Sequence, residues 1–178
     1  MDELDRFAAD ATAGDPLAAA ALVRATQTDV WRLCAALGDR DSAEDLTQET
    51  YLRAFGSLHR FEGRSSLRTW LLAVARRVCA DALRARRRRP SLVGLDPLDV
   101  EVGDGVDRVG ESAAVGDLLV RLEADRREAF VLTQVVGLSY AEAAEVAGCP
   151  VGTIRSRVAR ARADLVAALG DDEAAAFG

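Results

Sequence analysis

Residues 138–162 read L-S-Y-A-E-A-A-E-V-A-G-C-P-V-G-T-I-R-S-R-V-A-R-A-R. Ser139 is placed to cap a short helix containing Ala143, Ala144 and Val146, and Gly148-Cys149-Pro150 makes a tight turn. A last helix follows from about Val151 to Leu169 and carries Arg155, Arg157, Arg160 and Arg162 with no acid between them. Short helix, Gly-containing turn and basic helix in that order predict a helix-turn-helix, a unit that lays its second helix in the DNA major groove. The first turns of such a helix reach base edges while Arg and hydroxyl groups hold phosphates, which marks Thr153, Arg155, Ser156, Arg157 and Arg160. An Arg-rich solvated helix is the plainer reading of the same residues.

Upstream of this unit, helical periodicity begins at about Ala113 with Val115, Leu118, Leu119 and Leu122. It continues through Ala129, Phe130, Leu132 and Thr133 until Gly137. Between Ser91 and Ser112 the pattern dissolves into four Gly, one Pro, six acids and one Arg. That stretch is an acidic flexible linker and sets a domain boundary, with helical domains expected at 1–90 and 113–178.

The first domain is also all helix. Asp15 followed by Pro16 is an N-cap with proline at the first helical position, and the run extends to Leu37 before Gly38. Ser42 begins the next helix, with Asp45 resembling its capping-box partner, and the run ends at Phe55 before Gly56. Leu46, Thr50 and Ala54 share one face of it, and Asp45, Gln48, Glu49 and Leu52 share another. By pattern alone the second face is a solvated one. Ser65 or Ser66 caps a long helix with the apolar stripe Leu67, Trp70, Leu71, Val74, Val78 and Ala82, ending at Arg86–Arg89 and Pro90. Arg68, Arg76, Arg77, Arg84 and the terminal run are left for a phosphate backbone, with salt-dependent affinity. The Arg86–Arg89 run also suits the helix C-terminal dipole, and Trp70 suits the core as well as base stacking. No strand alternation of useful length is present, so the fold class is all-α with two small domains.

Charge is uneven along the chain. The 178 residues hold 23 Arg, no Lys and 29 acids, for a net charge of −6. Residues 1–50 carry 4 Arg and 11 acids, 51–90 carry 11 Arg and 2 acids, and 91–120 carry 1 Arg and 7 acids. The basic segment at 51–90 points to nucleic acid although the whole-chain charge does not. It also implies that in the free protein the acidic N-terminus or linker pairs with the basic 60–89 helix.

Cys34, Cys79 and Cys149 are odd in number, far apart and without C-x-x-C spacing, so they read as small core or boundary residues. His59 is the single histidine. With no H-E-x-x-H, no Gly-rich phosphate loop and no acidic cluster beside the basic helices, no catalytic residue, metal or cofactor is expected. No apolar run reaches bilayer length and the N-terminus is acidic, so a cytoplasmic protein without a membrane partner is expected.

Together, D-L-T-Q-E-T-Y-L-R-A-F at 45–55, the basic helix at 67–89 and the helix-turn-helix resemble the small two-domain extracytoplasmic-function sigma factors of bacterial transcription. The resemblance implies a region 2-like bundle at 1–90 and a region 4-like domain at 113–178. It gives Asp45, Gln48, Glu49 and Leu52 the role of docking on the clamp helices of the largest subunit of core RNA polymerase. It implies that Arg64, Ser65, Ser66, Arg68, Trp70, Arg76, Arg77, Asp81 and Arg84 read and melt the −10 promoter element, the Phe61–Ser66 loop holding a flipped base. Thr153, Arg155, Ser156, Arg157, Ala159 and Arg160 are then the −35 reader. The linker is expected either to thread polymerase channels or to act as a plain tether. An anti-sigma protein is a further partner in this family.

Two positions depart from the family pattern. Arg77 stands where relatives usually carry Asn, and an amide and a guanidinium offer different donors and acceptors, so the relatives' −10 preference does not transfer. Ala159 replaces a larger groove-contacting residue of some relatives. Readings from other classes are an operator-binding helix-turn-helix regulator, which leaves residues 45–89 without a role, and a nucleic-acid enzyme, which lacks a metal cluster.

Overall fold

The structure, a computed structural model, describes the backbone at residues 3–38, 40–88 and 110–176; side chains are described for these residues except 110–115 and 170–176. Eight α-helices and no strand occur among them: α1 (Glu3–Thr12), α2 (Pro16–Leu37), α3 (Ala43–Ser57), α4 (Leu67–Arg88), α5 (Gly110–Arg121), α6 (Ala124–Phe130), α7 (Tyr140–Ala147) and α8 (Val151–Ala176). A 3₁₀ turn at Leu58–Arg60 precedes α4, and α6 runs into a widened π turn at Val131–Val135.

Helices α1 to α4 form the first bundle, with α2 packed on α1, α3 and α4. Asp15 caps α2 through its carboxylate, which accepts from the Leu17 amide at 2.8 Å, and Pro16 opens the helix. Gly38 caps its end, donating its amide to the Cys34 carbonyl at 2.9 Å, and a Cβ there would crowd that carbonyl at 2.8 Å as well as Leu46 Cδ1. Inside the bundle, the Thr26 hydroxyl donates to the Leu22 carbonyl at 2.7 Å and meets the Tyr51 hydroxyl at 2.8 Å, so α2 and α3 share a satisfied polar contact in the core. Cys34 and Cys79 are buried, as expected of small core residues, and Cys149 is half-buried.

Several boundaries differ from the sequence reading. Helix α1 was not anticipated; its Ala8 is buried with Leu22, Leu58 and Leu67. Helix α3 passes through Gly56 to Ser57, whose hydroxyl donates back to the Arg53 carbonyl at 2.7 Å. The expected Ser42–Asp45 capping box does not form, since Ser42 has helical angles (φ −95°, ψ 0°) and makes no side-chain cap bond. Gly110–Ser112, expected in the linker, begin α5, and linker residues 91–109 lie outside the described residues. Helix α8 runs to Ala176, beyond Leu169.

The second bundle, α5 to α8, buries Leu119, Leu122, Ala129, Val131, Leu132, Ile154, Val158 and Ala161. Its core is continuous with that of the first bundle, because α4 packs against α7 and α2 against α6. That apposition decides which basic residues remain open.

Candidate nucleic-acid interface

Helix α3 turns Leu46, Thr50, Tyr51 and Ala54 into the core, which fixes its outward face. Asp45, Gln48 and Leu52 are exposed on that face and Glu49 is half-exposed. Leu52 is 71 % accessible, an apolar side chain standing in water one turn beyond Glu49. From Glu49 an ion-pair chain leaves the helix. Arg53 Nε donates to Glu49 Oε1 at 2.6 Å, Arg53 Nη1 to Asp81 Oδ2 at 2.7 Å, and Arg84 Nη2 to Asp81 Oδ1 at 2.5 Å. Hydrogen bonds from Arg53 and then Arg84 hold the Asp81 carboxyl below the ordinary aspartate range. Asp81 therefore serves the basic face by holding arginines, since both its oxygens are occupied.

Helix α4 begins where Ser66 Oγ accepts from the Thr69 amide at 3.1 Å, so of the two candidate caps Ser66 is the one that forms. Ser65 is half-buried, and Arg64 is exposed and paired with Glu62 at 2.5 Å. Gly63 takes a positive φ of 67° in this turn, a conformation that favours glycine. Trp70 is half-buried, packs on both apolar clusters and lies 5.4 Å from the Phe61 ring, which accounts for it as a packing residue of the loop that precedes α4.

The arginines of α4 divide into two groups. Arg77 and Arg84 are exposed. Arg68 donates through Nε to Asp29 Oδ2 at 2.8 Å and through Nη2 to the Val136 carbonyl at 2.6 Å, at the end of the π turn. Arg76 pairs with the carboxylate of Glu128 on α6, a residue only 7 % accessible. That partner raises the Arg76 pKa against the opposing effect of burial. The acidic N-terminus or the linker was expected to face the basic helix; Asp29 lies in that N-terminal segment, whereas Glu128, in the second bundle, lies in neither. Linker acids fall outside the described residues, apart from Glu111 in α5, whose side chain is not described.

The helix-turn-helix is built as its sequence implies. Ser139 Oγ accepts from the Glu142 amide at 3.2 Å while Glu142 Oε2 accepts from the Ser139 amide at 2.9 Å, a complete capping box. Gly148 adopts the left-handed conformation at φ 65°, where a side chain is disfavoured, and turns the chain into α8. Ile154, Val158 and Ala161 bury one face of α8. Arg155, Ser156, Ala159 and Arg160 are exposed on the other, and Thr153 is half-buried. Arg157 is instead drawn to Asp125 on α6 and to Cys149 Sγ at 3.8 Å, so it braces the turn.

Sequence reasoning missed Arg53, Asp29, Glu128 and the Val136 carbonyl. The one local signal among them is the i,i+4 spacing of Glu49 and Arg53 on α3; the other pairings join residues 28 to 68 apart along the chain. Among the described residues no group of three or more His, Cys, Asp or Glu is placed to hold a metal, and no helix is long and apolar enough to cross a membrane.

The chain matches the sigma-70 region 2 family over residues 22–89 and the sigma-70 region 4 family over residues 112–165. It is 53 % identical over 163 residues to the ECF RNA polymerase sigma factor SigC of Mycobacterium tuberculosis, covering 90 % of this chain and 88 % of that one. It is 38 % identical over 152 residues to the ECF sigma factor EcfG of Rhodopseudomonas palustris, covering 79 % and 78 %. Among solved structures, it resembles CnrH in complex with the cytosolic domain of CnrY, with a TM-score of 0.75 at 28 % identity over 96 % of this chain and 99 % of that one. It also resembles the sigma factor RpoE of Bartonella quintana in complex with the anti-sigma factor NepR, with a TM-score of 0.69 at 31 % identity over 83 % and 94 %.

Proposed function

The chain belongs to the extracytoplasmic-function sigma factors of the sigma-70 family, and on that premise we propose which of its residues carry each step of promoter-specific initiation. As a sigma factor it binds core RNA polymerase and brings it to a promoter; bond-making belongs to the polymerase, and the chain itself is a cytoplasmic non-enzymatic subunit. The exposed face of α3, formed by Asp45, Gln48, Glu49 and Leu52, docks on a basic, partly apolar polymerase surface. Arg64, Arg68, Arg76, Arg77 and Arg84 hold the −10 strands, with Asp81 orienting Arg84, and the Phe61–Ser66 loop takes the flipped base. Arg155, Ser156 and Arg160 read the −35 duplex, with Thr153 beside them and Arg157 as a brace. Two weak readers on one tether give avidity that depends on promoter spacing. An anti-sigma protein is a further class of partner, as for the Bartonella relative.

The observation that carries this reading is Leu52, 71 % accessible one turn beyond Glu49 on the outward face of α3. A single exposed leucine is ordinary on a soluble surface, but on the face where the family docks it supplies the apolar centre of a charged interface. An operator-binding regulator has no use for that face. Leu52→Glu tests the reading. Binding to core polymerase and run-off transcription should fall together while the melting temperature is unchanged. Retained transcription with this variant would remove α3 as the docking element.

A further inference from the structure

We propose that Arg53, which none of the readings above placed in an interface, is a positioning residue that couples polymerase docking at Glu49 to promoter contact at Arg84. The inference rests on the assignment of Glu49 to docking and Arg84 to DNA.

The geometry is a chain of alternating charge across two helices. Glu49 and Arg53 lie one turn apart on α3, and Asp81 and Arg84 lie one turn apart on α4. Arg53 is the link between them, with Nε on Glu49 at 2.6 Å and Nη1 on Asp81 at 2.7 Å. A guanidinium is planar, so one side chain holding two carboxylates fixes their relative direction, which an ammonium on a flexible stem does not. Asp81 divides its two oxygens between Arg53 and Arg84.

That division has a consequence for DNA. While Arg53 occupies Oδ2, Arg84 holds Asp81 through one oxygen, and its remaining N–H groups are free to meet a phosphate. Without Arg53, both oxygens of Asp81 close on Arg84, and the phosphate must compete with a bidentate pair. In the other direction, a polymerase cation that takes up Glu49 leaves Arg53 wholly to Asp81, which loosens the hold on Arg84. Docking on one helix thereby readies the other for promoter DNA. The four side chains are 43 to 63 % accessible, so each pair is individually weak, and the coupling is a modest one.

A thermodynamic cycle in the assembled holoenzyme tests this, with promoter affinity measured across a salt series. Arg84→Gln in the wild-type background should weaken promoter binding about three- to fivefold and lower the salt slope by about one. In the Arg53→Gln background the same change should cost almost nothing, because Arg84 is already withdrawn. Adding Asp81→Asn to Arg53→Gln should restore the full cost of Arg84→Gln, since the competing carboxylate is gone. Arg53→Lys should behave between wild type and Arg53→Gln. A purely structural or long-range charge role for Arg53 predicts the same Arg84→Gln cost in every background, and that result would overturn the proposal. If Arg84→Gln costs nothing in a wild-type holoenzyme that initiates normally, the failure lies in the assignment of Arg84 to DNA, and the coupling falls with it. Polymerase affinity of each variant, measured separately, distinguishes lost docking from lost coupling.

Discussion

Arg76 spends its Nε and its Nη2 on the carboxylate of Glu128, the latter at 3.3 Å, so a guanidinium of the proposed −10 face is held by a residue of the other bundle. Arg68 is engaged at the same seam by the Val136 carbonyl. The exposed faces of α3 and α8 stay open in this arrangement. Of the arginines proposed for the −10 element, Arg68 and Arg76 are therefore held at the seam in the free protein, while Arg64, Arg77 and Arg84 stay exposed, as do the proposed docking and −35 surfaces. Glu128→Gln removes the charge from the seam. If the contact is worth about 1–2 kcal/mol, the affinity of the free chain for a −10 fork oligonucleotide should rise roughly 5–30-fold. Fluorescence anisotropy at low salt reads this change, and energy transfer between labels on α3 and α8 reads the accompanying separation. Unchanged affinity with unchanged separation would mean that the seam does not restrain Arg76.

Charge reversal on α3 gives a second outcome. Asp45→Arg together with Glu49→Arg places like charges against a basic polymerase surface, a juxtaposition that costs several kcal/mol. Core binding should weaken by about 100-fold or more, and promoter-specific run-off transcripts should disappear. Asp45 is exposed and Glu49 half-exposed, so thermal stability should be nearly that of the wild type. Equal transcription from the reversed protein would move docking elsewhere.

Most elements were legible in the sequence where the deciding interactions are local. Asp15-Pro16, Ser139 with Glu142, and Gly148 each act within one turn, and each does what its residue type implies. Ser42 shows the limit of such reasoning, because the right residue in a helical backbone conformation does not aim its hydroxyl at the amide that needs it. The face of α4 was also legible from periodicity. What became of that face was not, since the Val136 carbonyl on Arg68 and the Glu128 carboxylate on Arg76 lie 68 and 52 residues away and are brought there by packing of one bundle on the other. Trp70 illustrates the same point from the apolar side: its stripe position announced a core residue, and the structure packs it on both apolar clusters and against the Phe61 ring.

Ser139 offers a stability test confined to the helix-turn-helix. Ser139→Ala removes the acceptor for the Glu142 amide, a cap worth about 1 kcal/mol, which corresponds to a fall of roughly 4–8 °C for a domain of this size. Hydrogen bonds from Ser139 hold the Glu142 carboxyl below its ordinary range. A lowered folded-state pKa stabilises above the unfolded glutamate range, and that contribution is lost as pH falls through the folded value. The deficit of the Ala variant should accordingly be largest at neutral pH and shrink in acid, without vanishing, because the serine oxygen still accepts from the amide. Thermal melts at pH 7 and pH 3 check the trend. A deficit that does not change between them would show that the Ser139 hydroxyl gains nothing from the charge of Glu142, whose bond from the Ser139 amide both proteins keep.

Arg77 is exposed on α4, next to the engaged Arg76. Substituting Arg77→Asn should leave the fold intact, since the side chain fills no core position. Its effect should fall on promoter choice. An arginine fork favours the O6 and N7 acceptors of guanine or a phosphate, whereas an amide pairs a donor with an acceptor and favours adenine. Transcription from a library randomised at the −10 element should therefore shift its preference at one or two positions, by about 1–3 kcal/mol where a base edge is read. If Arg77 holds only a phosphate, all promoters should weaken uniformly and the salt slope should drop by about one. An unchanged preference with an unchanged slope would take Arg77 off the DNA altogether.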